Sequence, residues 1–404
     1  MAKSLLMAEM FSVVITRIMV KAIGVITITV LLLLLDPAQM GEYGLFISII
    51  YLAVAFGNLG IKQHLVITAA NSEKLFEDEN ALHQLLPYLC VVTLIISATI
   101  TYLVNPSADL SFFFVTVFSS LLLLYITLYQ GVYLGKKTIR KFNYLELAPK
   151  FIFLVVVITL FWFLGYQYKE QLLYFYVLSL LLVCSVLFLK KASKTENKVS
   201  LIKAIKSGIL FCIGLSLILL NTRIPIFSAS FHSTSEDVGI IFAALRINDI
   251  VLEAATAFSL ILFSSGANKK QTVPIREVLK SSAFVIGVIS VISLTGIILL
   301  EFNFGARLLP DYAASFESLR ILLFGAPFIA FCKISYGYIT GRFGPLVCIY
   351  ILLGVIIFQT AFNFALFRLE SIFFAEIAYV SAQIICCLAF AIYFYTLIKK
   401  TDYE

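Results

Sequence analysis

From end to end the chain repeats one feature: apolar runs of about twenty residues, parted by short polar breaks. Each run is as long as a helix needs to be to cross the roughly 30 Å hydrocarbon core of a bilayer. Read with that window, spans are expected near 8–34, 41–62, 82–104, 110–134, 148–165, 172–189, 207–230, 238–266, 281–301, 316–340, 344–367 and 371–398. No segment alternates apolar and polar residues as a barrel strand would. The expected fold class is therefore an all-α integral membrane protein of about twelve transmembrane helices. With 61% hydrophobic and only 13% charged residues, the chain is excluded from the soluble globular class, where about 25% of residues are charged. Residues 8–34 are too long for the apolar core of a signal peptide and carry no small-residue cleavage site, so the first span is read as retained.

Lys and Arg fix the expected orientation. With both termini cytoplasmic, 21 bases fall on the inner face and 3 (Lys169, Arg307, Arg368) on the outer. The positive-inside rule therefore fixes the expected multi-pass topology, with both termini cytoplasmic. The net charge of +7 is largely topogenic, and no nucleic-acid partner is expected. The seven cysteines lie within spans and read as small apolar fillers. The three histidines are scattered, with no metal-ligand spacing. No metal or cofactor is expected, and the short loops leave no room for a soluble catalytic domain.

The most basic loop, roughly 190–206, divides the chain into two six-span lobes, 1–195 and 196–404. Internal similarity supports this division. Glu42-Tyr43-Gly44 opens span 2 as Asp237-Val238-Gly239 opens span 8. Gly131-x-x-x-Gly135-Lys136 closes span 4 as Gly337-x-x-x-Gly341-Arg342 closes span 10. Six spans per unit make the repeats parallel, and in transporters built this way the substrate site lies near the membrane midplane. The small-residue pairs also read as close helix packing. Gly131 to Thr138 superficially resembles a P-loop, but it ends an apolar helix instead of following a strand.

Charges inside spans are the candidate functional residues, since each costs about 2.5–3.5 kcal/mol at a bilayer centre. Arg17 and Lys21, at i and i+4, share one face of span 1. Asn221 and Arg223 precede Pro225 in span 7. Arg246, Asp249 and Glu253 form one polar stripe on span 8, either as an intrahelical pair or as an anion site with a coupling acid. Lys333 lies in span 10, where snorkelling to the cytoplasmic face competes with a cavity role. Asn58 and Asn363 are isolated polar positions, and Glu376 near the outer end of span 12 is a further acid. The expected substrate-binding set is Arg17, Lys21, Arg223, Arg246, Lys333, Asn58 and Asn221, with Asp249 and Glu253 for ion coupling. No nucleophile–base arrangement exists, so the chain reads as a non-enzyme and no catalytic residue is assigned.

Asp36-Pro37-Ala38-Gln39-Met40-Gly41-Glu42-Tyr43-Gly44-Leu45-Phe46, after a span carrying Arg17, resembles the opening of bacterial polysaccharide flippases of the Wzx type. Asn58-Leu59-Gly60-Ile61 is similar to their Asp-Leu-Gly-Leu segment, with Asn for Asp. Asp237-Val238-Gly239 into Ala243-Ala244-Leu245-Arg246-Ile247 resembles their span 8. Leu309-Pro310-Asp311-Tyr312 is similar to their outer loop before span 10, without its glycine. The resemblance places the chain in the multidrug/oligosaccharidyl-lipid/polysaccharide exporter superfamily, and it implies two lobes enclosing a cavity. It implies a flippase carrying undecaprenyl-pyrophosphate-linked oligosaccharide, an O-antigen or related surface polysaccharide unit, to the periplasmic leaflet by alternating access. The implied partners are that lipid-linked substrate, membrane lipid, and the polymerase and chain-length regulator of the same pathway. It matches Arg246 by motif and Arg17, Lys21 and Arg223 by position to the cavity cations. The alternative within the fold is a multidrug/cation antiporter, which calls for an acidic cavity. A membrane polymerase, the rival from another class, calls for a large outer loop that is absent.

Overall fold

The computed structural model describes residues 19, 20, 22–65, 75–106, 108–136, 138–164, 171–188, 201–267, 274–302, 304–369 and 373–401. Arg17 and Lys21 lie outside these residues. The described residues are helical with no strand. The helices in chain order are α1 (Ala22–Leu34), α2 (Pro37–Gly57), α3 (Leu75–Val104), α4 (Leu110–Gly135), α5 (Ile139–Val157), α6 (Leu172–Phe188), α7 (Leu201–His232), α8 (Ser235–Val251), α9 (Glu253–Ala267), α10 (Ile275–Glu301), α11 (Ala313–Phe343), α12 (Leu346–Arg368) and α13 (Phe374–Thr401). Among the described residues nine segments are long and apolar enough to cross a membrane. The apolar helices Ala22–Leu34, Leu172–Phe188 and Glu253–Phe263 are shorter; they fall in the expected spans 1, 6 and 8.

Two differences from the expected spans have local causes. The fifth helix begins at Ile139 instead of residue 148, because Arg140, Lys141 and Tyr144 stay exposed while Leu145 is buried, which extends the helix as an amphipathic turn. It then passes into a π-helix over Ile158–Phe163. Span 8, expected unbroken over 238–266, is split at Leu252. The helical ladder ends with the Leu252 amide donating to the Asn248 carbonyl and restarts with the Thr256 amide donating to the Leu252 carbonyl. The Arg246–Asp249–Glu253 stripe therefore spans a break, with Glu253 at the first position of the next helix.

The chain forms two compact units. One contains Leu45–Ser216 with the residues before Asp36, and the other contains Asp36–Gly44 with Leu217–Glu404. The division falls inside α7, not in the basic loop, and the opening of α2 belongs to the second unit. That short stretch packs on α8 through glycines. A Cβ on Gly239 would collide with the Pro37 carbonyl, and one on Gly41 with the Ser235 carbonyl. Phe242 fills the space beside Gly44 and meets Tyr43 edge-to-face at 6.0 Å. The two segments that the internal repeat relates are thus packed directly against each other.

In the first unit, α4 packs against α3, α5 and α6; in the second, α11 packs against α8, α9, α10 and α13. Glycines of the Gly-x-x-x-Gly pairs sit at close backbone approaches, those of α11 directly on α9. Gly131 abuts the backbone of Lys62, while Gly337 and Gly341 abut Ser259 and Phe263 of α9. Small residues let backbones approach where lipid supplies no hydrophobic drive between helices. Buried hydroxyls add short links, such as Ser97 to Ser120 at 2.9 Å between α3 and α4. All seven cysteines are unpaired.

Candidate functional site

In the second unit, α7, α8, α12 and α13 each bury polar side chains. Arg223 of α7 is only 8% exposed, with Asn221 beside it at 5%. Pro225 follows two residues later inside the same helix. Burial of the guanidinium in protein favours an internal role over snorkelling. Tyr379 of α13, 3% exposed, lies within electrostatic reach of both Arg223 and Asp249. Both charges therefore act on a tyrosine that the sequence did not single out.

Arg246 carries its guanidinium over the Phe242 ring at 4.7 Å and reaches Asp249 at 3.7 Å. The intrahelical pair anticipated from the sequence is present. Both partners are partly exposed, so its net contribution is small, about 0–1 kcal/mol. The chief effect is to hold a positive group on a known face of α8. Asn248, on the opposite side of that helix, is 2% exposed, and its Oδ1 accepts no hydrogen bond among the described residues.

On α12, Gln359 (0% exposed) and Asn363 (3%) stand one turn apart on the buried face, and none of their amide atoms is hydrogen-bonded among the described residues. On α13, Gln383 lies one turn beyond Tyr379, with its Nε2 likewise unbonded. Unsatisfied buried amides are costly, about 1–3 kcal/mol each, so these positions suit water or a polar ligand. The sequence reading named Asn363 but not Gln359, Tyr379 or Gln383. The signal it missed is a pair of polar residues spaced i, i+4 on each of two otherwise apolar helices.

Lys333 is half-buried on α11, where its Nζ donates to the Thr256 hydroxyl of α9 at 3.4 Å. Its backbone carbonyl accepts the Ser259 hydroxyl at 2.7 Å. This places Lys333 at the α9–α11 contact, apart from the Arg246–Asp249 pair. Arg320, a further base in the same helix, is neutralised by Glu301 at 3.3 Å and Glu317 at 3.4 Å.

Asn58 is built into a turn that ends α2. Its Nδ2 donates to the Val54 and Ala55 carbonyls, and its Oδ1 accepts the Gly60 amide. Leu59 and Gly60 adopt left-handed conformations, with φ of 48° and 81°. A left-handed leucine is costly unless its surroundings impose it; the Asn58 amide supplies that constraint. Glu253 occupies the equivalent place at the break between α8 and α9 in the second half of the chain. Among the described residues no three His, Cys, Asp or Glu side chains gather to hold a metal ion.

No family model matches the chain, and no curated protein matches it in sequence. Solved structures do match in fold. An inward-facing multidrug-resistance MATE transporter of the MOP superfamily aligns over 95% of this chain and 95% of its own, with a TM-score of 0.68 at 14% identity. The lipid II flippase MurJ, in an inward closed conformation, aligns over 94% of this chain and 86% of its own, with a TM-score of 0.71 at 12% identity. An outward-facing MATE transporter aligns over 97% and 95%, with a TM-score of 0.56 at 16% identity. The chain is an all-helical membrane protein with the fold shared by MATE transporters and MurJ.

Proposed function

We propose that the chain is a flippase for a lipid-linked oligosaccharide, moving the glycan head group across a bacterial inner membrane by alternating access. The observation that carries this reading is the buried cation Arg223, 8% exposed inside a bilayer-length helix. Arginine presents a planar fork of donors suited to a pyrophosphate, and hydrogen bonds to charged groups strengthen in low dielectric. Arg246 and Lys333 add positive charge in the same unit, and Arg17 and Lys21 would extend it from the first span. Asn221 contributes an unoccupied acceptor beside Arg223. Asp249 and Glu253 flank the break at Leu252 and are the groups assigned to ion coupling. Asn58 serves the turn that shapes α2, so any effect on substrate would pass through helix geometry. The polymerase and chain-length regulator of the same pathway would receive the exported unit.

The reading by which the chain is a multidrug or cation antiporter is favoured by its MATE neighbours. Deletion of the gene, followed by analysis of surface glycan and drug tolerance, separates the two. The flippase reading expects loss of surface polymer with accumulation of its lipid-linked precursor. Normal polymer together with altered drug tolerance would establish the antiporter instead. A second test replaces Arg17, Lys21, Arg223 or Arg246 by Ala; unimpaired export in all four would remove the cationic mechanism.

A further inference from the structure

In the first unit, α4, α5 and α6 leave a cleft of about 210 Å³ open at one end of the helices. It lies where α4 ends at Gly135, α5 begins at Ile139 and α6 ends at Phe188, the end that the Lys/Arg bias assigns to the cytoplasm. Its wall is apolar: Val183, Val186 and Leu187 of α6 face Leu145 of α5. Its rim is basic and aromatic, with Arg140, Lys141 and Tyr144 on the first turns of α5. Lys141 Nζ sits 5.6 Å from the centre of the Tyr133 ring, which holds the ammonium at the mouth of the cleft.

Three features of this arrangement go beyond topogenic charge. A loop that only obeys the positive-inside rule needs no cleft beneath its bases. The cations occupy the first turn of a helix, where the macrodipole favours acids and disfavours bases, and that turn contains no acid. No capping side chain offsets this, because Thr138 turns its hydroxyl back to the Tyr133 carbonyl at 3.1 Å. An anion at the rim would relieve both penalties. The cleft is smaller than sites for whole small molecules, which run to roughly 300–1,000 Å³, so it suits a segment of acyl chain whose charged head stays outside.

We infer that this cleft binds an anionic phospholipid, with the phosphate held by Arg140 and Lys141 and part of one acyl chain lying along Val183, Val186 and Leu187. Basic recesses between transmembrane helices at the cytoplasmic side are the usual form of such sites. The test uses delipidated full-length protein in neutral detergent, with bound lipid counted by native mass spectrometry. Phosphatidylglycerol is expected to bind, while phosphatidylcholine of the same acyl length should bind at least tenfold more weakly. The double variant Arg140→Gln/Lys141→Gln should lose about thirtyfold in affinity for phosphatidylglycerol. The matched surface variant Arg276→Gln/Lys280→Gln should bind as the parent does. Val186→Trp, which fills the cleft and leaves both cations in place, should also weaken binding.

Several outcomes would overturn the inference. Equal binding of the two lipids would make the cleft an unselective lipid contact. Displacement of phosphatidylglycerol by millimolar inorganic phosphate would reduce it to a surface anion site. Unchanged binding in either cleft variant would place the lipid elsewhere, and no binding in any arm would mean that neighbouring chain fills the cleft.

Discussion

Ser318 of α11 donates its hydroxyl to the Glu376 carboxylate of α13 at 2.5 Å, linking two buried helices across 58 residues of sequence. Glu376 is 2% exposed, so this acid near the outer end of span 12 is enclosed by protein. Removing the donor with Ser318→Ala leaves a buried carboxyl without that bond and should destabilise the second unit by about 1–3 kcal/mol. Glu376→Gln keeps an oxygen for the serine to donate to and should cost less. Unfolding midpoints of the two variants in one detergent check the order; a larger loss in Glu376→Gln would mean that the carboxylate charge, not the bond, is what the fold uses.

Gly239 permits the tightest crossing in the second unit. Gly239→Ala would drive its Cβ into the Pro37 carbonyl, a backbone group that has no rotamer with which to move aside. Overpacking typically costs about 1–3 kcal/mol, and against a backbone group the variant should sit at the upper end, with reduced yield of folded protein in size-exclusion chromatography. Gly354→Ala is the matched control. Nothing lies within 4 Å of its Cβ, and the gain in helix propensity is up to about 1 kcal/mol.

The three hydrogen bonds of Asn58 assign it to the turn. Asn58→Ala should destabilise the first unit by about 1–3 kcal/mol through loss of the bonds that hold Leu59 and Gly60 left-handed. Asn58→Asp keeps the acceptor for the Gly60 amide but loses the donors, and should fall between. Export measured at equal folded protein should be near normal for Asn58→Ala. A severe transport defect in a fully stable variant would give Asn58 a direct substrate role.

At the start of α4, Asp109 accepts the Phe112 amide at 2.9 Å and the Ser111 hydroxyl at 2.8 Å. The backbone amide first, and the hydroxyl second, hold its carboxyl below the ordinary carboxylate value. A depressed folded-state value means that the stabilisation is present above the unfolded-state value of 3.8 and is lost as pH falls through the folded one. Asp109→Asn retains an N-cap acceptor without titrating. The gap in unfolding midpoint between parent and variant should therefore stay constant from pH 5 to pH 8 and change only in acid. A gap that varied near pH 7 would assign the effect to another group.

Helix positions were legible from the apolar runs because a bilayer leaves a chain few other choices. The Gly-x-x-x-Gly pairs likewise announced close packing, and Gly337 and Gly341 lie directly on α9. The Arg246–Asp249 pair followed from i, i+3 spacing alone. The break at Leu252 was not legible, because neither proline nor glycine marks it. Nor was the approach of Tyr379 to Arg223 and Asp249, because α13 is remote in sequence from the consecutive helices α7 and α8.

The sequence by itself determined the helical class and the approximate positions of the apolar spans, because both depend on local hydrophobicity along the chain. Tertiary structure decided which charges are neutralised and which are enclosed. Arg320 meets Glu301 and Glu317, whereas Arg223 is buried among helices that also bring Tyr379 near. It also decided that Asn58 shapes a turn and that Arg140 and Lys141 stand over a cleft. A residue's partners across helices are set by packing and burial, and composition along one helix does not encode them.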